Sequence, residues 1–195
     1  MQFPNTRYIG KHWCFEGLLK IPLIVTVSSD FSPRTLKNKG WNMISNPRKR
    51  MNNFNYLARG IYFVDGHVLL VQYVGSEKTF LPGGHIEFGE RALDCLSREL
   101  KEELSLENPE IVRFIGAVEH KWEESGVRNH EINLVFLFRL SGITPPTPPI
   151  SHEKHIEFVW AKPNELVKYN LKPSPLIDYI CNHMEDDRAY WGSTL

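Results

Sequence analysis

Two runs rich in β-branched and aromatic residues, 57–64 and 67–74, are separated by Asp65-Gly66. An Asp-Gly pair between such runs predicts a tight hairpin, because both turn positions need positive φ. Phe80-Leu81-Pro82-Gly83-Gly84 then reads as a loop. Over 90–104 the apolar period changes. Leu93, Leu96, Leu100 and Leu104 recur at spacings of three and four, which predicts an amphipathic helix with these leucines on its buried face. Further strands are predicted over 111–119, 131–140 and 157–160, with helices starting near Pro163 and running over 175–184. The proline-rich segment 144–149 is expected as an extended loop, since its four prolines offer no backbone donors. No internal repeat is visible. Strands interspersed with helices predict an α/β fold of mixed layers.

Composition narrows the class. With 42% hydrophobic and 24% charged residues among 195, the chain is ordinary globular protein and not a disordered or fibrous one. Its longest apolar runs fall far short of the roughly 20 residues of a membrane-spanning helix. No secretory signal is expected in the first 20 residues, which carry Arg7, Lys11, His12 and Glu16. Three widely spaced cysteines (Cys14, Cys95, Cys181) form no disulfide framework and fit a reducing cytoplasm.

The net charge of zero hides an asymmetry. Residues 1–50 carry a net charge of +7 and the remainder −7. This divides the chain into a basic N-terminal extension, 1–50, and a patterned domain, 51–195. Within the extension, 21–27 reads as a short edge strand because of Pro22. The Arg48-Lys49-Arg50 triplet reads first as solvated surface and second as a contact for nucleic acid or an acidic partner. A natural start at Met43 or Met51 is a further expectation.

The helix over 90–104 carries the chemistry. Glu99, Glu102 and Glu103 stand at i, i+3 and i+4, so three carboxylates share one face. Like charges so placed cost a few tenths of a kcal/mol unless a cation sits among them. Oxygen ligands beside the Gly83-Gly84 turn suit a hard divalent cation such as Mg²⁺. Arg98 lies next to Glu99 and four residues before Glu102, where a guanidinium can orient a carboxylate. Gly83 and Gly84 let backbone approach a metal or a phosphate closely.

The segment resembles the Nudix box, Gly-x5-Glu-x7-Arg-Glu-U-x-Glu-Glu-x-Gly-U, where U is bulky and aliphatic. Gly84, Glu90, Arg98, Glu99, Leu100, Glu102, Glu103 and Leu106 fall in place, and Ser105 stands where the pattern has glycine. The resemblance covers about residues 57–184 and leaves out 1–50. It implies a MutT-like Nudix hydrolase with an α/β/α sandwich around a mixed β-sheet. Such a pyrophosphatase would cleave the pyrophosphate linkage of a nucleoside diphosphate derivative with Mg²⁺ or Mn²⁺ and an attacking water. It also implies metal-binding roles for Glu99, Glu102, Glu103 and the Gly83 carbonyl, substrate contact at Gly83 and Gly84, and an orienting role for Arg98. Glycine at 105 would supply a left-handed helix cap, so serine there predicts modest strain or a different ending.

Family members differ in which glutamate takes the proton from water. Glu153, on the loop before the 157–160 strand, is the later-loop candidate here, with Glu157 behind it. His120, His130, His152 and His155 match no zinc spacing. Trp122 is assigned to packing ahead of base stacking, and Cys95 to the core. No substrate mark of the ADP-ribose or dinucleoside polyphosphate type follows the box. The alternative reading is a catalytically silent Nudix-like module that binds nucleotide or RNA, which the basic extension favours and the intact carboxylates oppose. A diphosphate isomerase stands third, its extra catalytic residues not located. The expected partner is a small nucleotide-type molecule, with a homodimer left open.

Overall fold

The computed structural model describes residues 52–105 and 109–195. The 21–27 strand, the Arg48-Lys49-Arg50 cluster and Leu106 lie outside the described residues. The chain forms β1 (Asn52–Ile61), β2 (Phe63–Val64), β3 (His67–Tyr73), β4 (Thr79–Phe80), β5 (Gly83–His85) and α1 (Ala92–Leu104). It continues with β6 (Glu110–Glu124), β7 (Val127–Arg139), β8 (Ile156–Ala161), a 3-10 turn at Pro163–Glu165, α2 (Pro175–Asn182) and β9 (Tyr190–Ser193). A mixed five-stranded sheet has the order β5-β1-β7-β6-β9, with β1 parallel to β7 and β6 parallel to β9. In a second, antiparallel sheet β3 pairs with β2, β4 and β8.

Alternation explains how the two helices are held. Along Val68-Leu69-Leu70-Val71 every side chain is buried, so the middle of β3 has no wet face. Leu69 and Val71 join a core with Leu96, Leu100 and Leu104 of α1, together with Phe136, Phe138 and Trp160. Val68 and Leu70 join the opposite core with Leu176, Tyr179 and Ile180 of α2. The result is the expected α/β fold, with a mixed sheet and two helices.

The Asp65-Gly66 hairpin forms as expected, with φ of 47° and 72° at its two turn residues. Other boundaries move. β1 starts at Asn52, five residues before the expected strand, and pairs in parallel with β7 over its whole length. β6 and β7 form one long hairpin closed by Ser125-Gly126, whose φ values of 51° and 78° make a second positive-φ turn. β9 was not expected. In the first turn of α1 Leu93 is 48% exposed, and Cys95 takes a place on the buried face beside Leu96.

Candidate active site

Three pieces of backbone converge: β5, α1 and the loop leading into β8. Gly83 has φ +119°, and a Cβ there would strike the Ala58 carbonyl oxygen. At Gly84 a Cβ would collide with the Glu99 carboxylate itself. Gly83 therefore needs glycine, whereas at Gly84 a side chain would displace the Glu99 carboxylate, because the acidic helix lies directly against β5.

Arg98 organises the carboxylates. Its Nε and Nη2 donate to Glu90 Oε1 and Oε2 at 2.9 and 3.1 Å, and its Nη1 donates to Glu99 Oε1 at 2.7 Å and Glu102 Oε2 at 3.1 Å. Nη2 also reaches the His85 carbonyl at 3.1 Å, tying α1 to β5. The paired guanidinium, helped by the Glu87 backbone N–H, holds the Glu90 carboxyl at about 2. Glu90 precedes the helix, and its partners are Arg98 and the Glu87 N–H.

Glu103 is different in kind. It is 5% exposed, and its Oε2 accepts from the Gly83 N–H at 3.2 Å. No cationic side chain lies within salt-bridge distance of it among the described residues. Burial pushes its pKa up to about 8, opposed by the Arg59 charge and the Gly83 N–H and reinforced by Glu99 and Glu153. Glu99, Glu103, Arg98, Gly83, Gly84 and Glu153 line one cleft of about 490 Å³. Glu102 stands outside that lining, 49% exposed at the rim.

The loop carrying Glu153 is fastened to α1 by the His152 N–H, which donates to the Glu103 carbonyl at 3.0 Å. Ser151 Oγ folds the loop onto itself through Glu153, and His155 Nε2 lies 3.3 Å from Glu153 Oε2. The Cys95 thiol is buried, and burial pushes it up to about 12, which suits a core residue.

Two site residues escaped the sequence reading. Arg59 of β1 donates to the carbonyls of Leu81 (3.2 Å) and Gly83 and lies 5.9 Å from the Phe80 ring centroid. Glu131 of β7 is 7% exposed and accepts from Asn133 Nδ2 at 3.0 Å. Its pKa is raised by burial. The missed signal was alternation: Val135, Asn133 and Glu131 share one face, so the apolar row turns polar where it enters the cleft. Trp122 is half-buried, stacks on His120 (5.4 Å, 22°) and lines the cleft.

Among the described residues, no three His, Cys, Asp or Glu side chains stand close enough to hold a metal ion as placed. The donor chemistry nevertheless fits a hard divalent cation. A nearly buried carboxylate without a cationic contact faces a cleft with four further acids, Glu87, Glu99, Glu131 and Glu153, and a cation would relieve its desolvation and their mutual repulsion.

Residues 55–179 match the family model described as the NUDIX domain. The chain belongs to the NUDIX family. It is 27% identical over 144 residues to an isopentenyl-diphosphate Delta-isomerase of Cereibacter sphaeroides, covering 67% of this chain and 79% of that one. It is 30% identical over 116 residues to the nucleoside triphosphatase NudI of Escherichia fergusonii, covering 55% and 81%. A Bacillus halodurans MutT structure superimposes with a TM-score of 0.52 at 20% identity, over 71% of this chain and 88% of that one, which shows the fold. Within the NUDIX segment, Ser105 takes the left-handed cap itself, at φ 53° and ψ 34°, with its N–H on the Lys101 carbonyl at 2.8 Å. The helix therefore ends as it would with glycine.

Proposed function

We propose that this NUDIX enzyme is a divalent-cation-dependent pyrophosphohydrolase acting on a nucleoside diphosphate derivative. The observation that carries the reading is the Arg98 fork holding Glu90, Glu99 and Glu102 beside a buried Glu103. Such an arrangement spends four carboxylates on one small volume, and a metal-bound diphosphate is the chemistry that repays it. Glu99, Glu102, Glu103 and the Gly83 carbonyl would hold Mg²⁺ or Mn²⁺, with Arg59 leaving that carbonyl. When bound, the cation supplies positive charge to the phosphate oxygens and lowers the pKa of water at the site.

The chain's own groups account for the rest. Water oxygen attacks one phosphorus, the P–O bond to the bridging oxygen breaks, and two phosphate-bearing products leave. Glu153 takes the proton released by the water, and His155 beside it leads that proton toward solvent. Arg59, freed from Gly83, turns its guanidinium to the departing phosphate. The intact carboxylates oppose a silent binding module.

A panel of nucleoside triphosphates, nucleotide sugars and dinucleotides, with isopentenyl diphosphate beside them, tests the reading. Phosphate-ester products appearing only with Mg²⁺ or Mn²⁺ are expected. Isomerisation of isopentenyl diphosphate without any hydrolysis would replace the reading with the isomerase one.

A further inference from the structure

Beyond the acidic cleft lies a second cavity of about 360 Å³, within the range of roughly 300–1,000 Å³ common for small-molecule sites. Tyr73, Phe80, Trp122 and Glu131 line both spaces, so the two are continuous. The near part is aromatic: Tyr73 and Phe80 meet edge to face at 5.9 Å, while Trp122 and His120 stack. The far part carries Lys78 and Lys172.

The fold sets these lysines side by side. The Lys172 N–H donates to the Thr79 carbonyl at 2.9 Å, Thr79 bridges to Leu171, and Thr79 Oγ1 donates to the Tyr169 carbonyl at 2.8 Å. Among the described residues neither lysine has a carboxylate within 4.0 Å. Glu124, also on the cavity, pairs with neither. Lys78 and Lys172 line the same cavity as His120 and Trp122, and after burial their charges help hold the His120 imidazole below its usual pKa. Two unneutralised cations held together beside an apolar slot repel one another, and an anion between them removes that cost.

We propose that this cavity binds the ring of a nucleotide that carries an additional phosphate on its ribose, with the ring on Trp122 and the extra phosphate between Lys78 and Lys172. A phosphate monoester carries a charge of about −1.5 to −2, which two ammonium groups match and a single carboxylate would not. The anhydride, the ring and the second phosphate all hang from the ribose, so the sugar sits at the junction of the two spaces with the anhydride toward Glu99 and Glu103, the ring against Trp122 and the second phosphate toward the lysines. The position of the anhydride rests on the hydrolase reading; the ring and phosphate subsites do not.

Calorimetric binding to the full-length protein, with a chelator present, tests this with adenosine 5′-monophosphate and the 3′,5′- and 2′,5′-bisphosphates. At least one bisphosphate is expected to bind about tenfold tighter than the monophosphate, as one or two charge-assisted contacts would give. In Lys78→Met/Lys172→Met that ratio should fall to near one. Lys121→Met, at a lysine on a different cavity, should keep it. Which bisphosphate wins fixes the ribose position. Equal binding of all three, no binding of any, a ratio that survives the double substitution, or one that falls equally in Lys121→Met would overturn the proposal. Coenzyme A and dephospho-coenzyme A with Mg²⁺ separate the two readings: a preserved binding ratio, with neither of these compounds nor any member of the hydrolysis panel cleaved, refutes the hydrolase and leaves the subsite standing.

Discussion

Arg98 grips Glu90 with two parallel hydrogen bonds, 2.9 and 3.1 Å, across eight residues of chain. This planar contact fixes the guanidinium so that its remaining nitrogen can hold Glu99 and Glu102 at once. A lysine has the charge and lacks the fork. Arg98→Lys is expected to keep the fold by circular dichroism and to lose about 10–100-fold in metal affinity or turnover, as removal of an orienting partner does. Wild-type turnover in Arg98→Lys would show that the fork is not needed.

Glu103 predicts a pH dependence of stability. Its folded pKa of about 8 lies above the ordinary carboxylate value of 4.5, so the folded protein keeps a proton the unfolded chain has given up. Its contribution is fully present below about 4.5 and is lost as pH rises through about 8. Metal-free protein should therefore melt at lower temperature at pH 8 than at pH 5.5, and Glu103→Gln should flatten that difference. Mg²⁺ should raise the wild-type melting temperature more at pH 8. The same slope in Glu103→Gln would place the titrating group elsewhere.

Gly84→Ala places a methyl group where the Glu99 carboxylate lies. The neighbour is the end of a flexible side chain, so the fold should survive with a cost of about 1–3 kcal/mol. Activity should fall further than stability, because Glu99 must leave its place on Arg98. A double variant with Glu99→Ala should regain stability and not turnover; stability lost in equal measure with and without Glu99 would contradict the contact.

Ser105 sits in the left-handed region at φ 53°. A non-glycine residue there costs on the order of 1 kcal/mol. Ser105→Gly should raise the melting temperature by about 2–4 °C for a chain of this size, read by scanning calorimetry. A fall would mean that the serine side chain, not the backbone, ends the helix.

Much of this was legible in the sequence, and the limits have physical causes. Asp65-Gly66 announced its hairpin because turn chemistry is local, and the box announced the acidic helix because its spacing is itself the helical period. Ser125-Gly126 carries similar positive φ values with a less distinctive first residue, so the sequence predicts two shorter strands where the long β6–β7 hairpin forms. Leu93 satisfied the period but lies in the first turn of α1, where no neighbour covers it. Arg59 and Glu131 were hidden for another reason. Their roles come from strands far apart in sequence meeting at one cleft, which no single-chain periodicity records. Glu153 lines that cleft, while Glu102 lies outside its lining and is half exposed.

The most direct test is hydrolysis of the best panel substrate in ¹⁸O-labelled water, with wild type and Glu103→Gln run together, with and without Mg²⁺. One labelled oxygen in one phosphate product is expected, only with the cation, and almost none from Glu103→Gln although it folds. Product formed without label, or label incorporated at the wild-type rate by Glu103→Gln, would contradict a cation-dependent attack of water at this site.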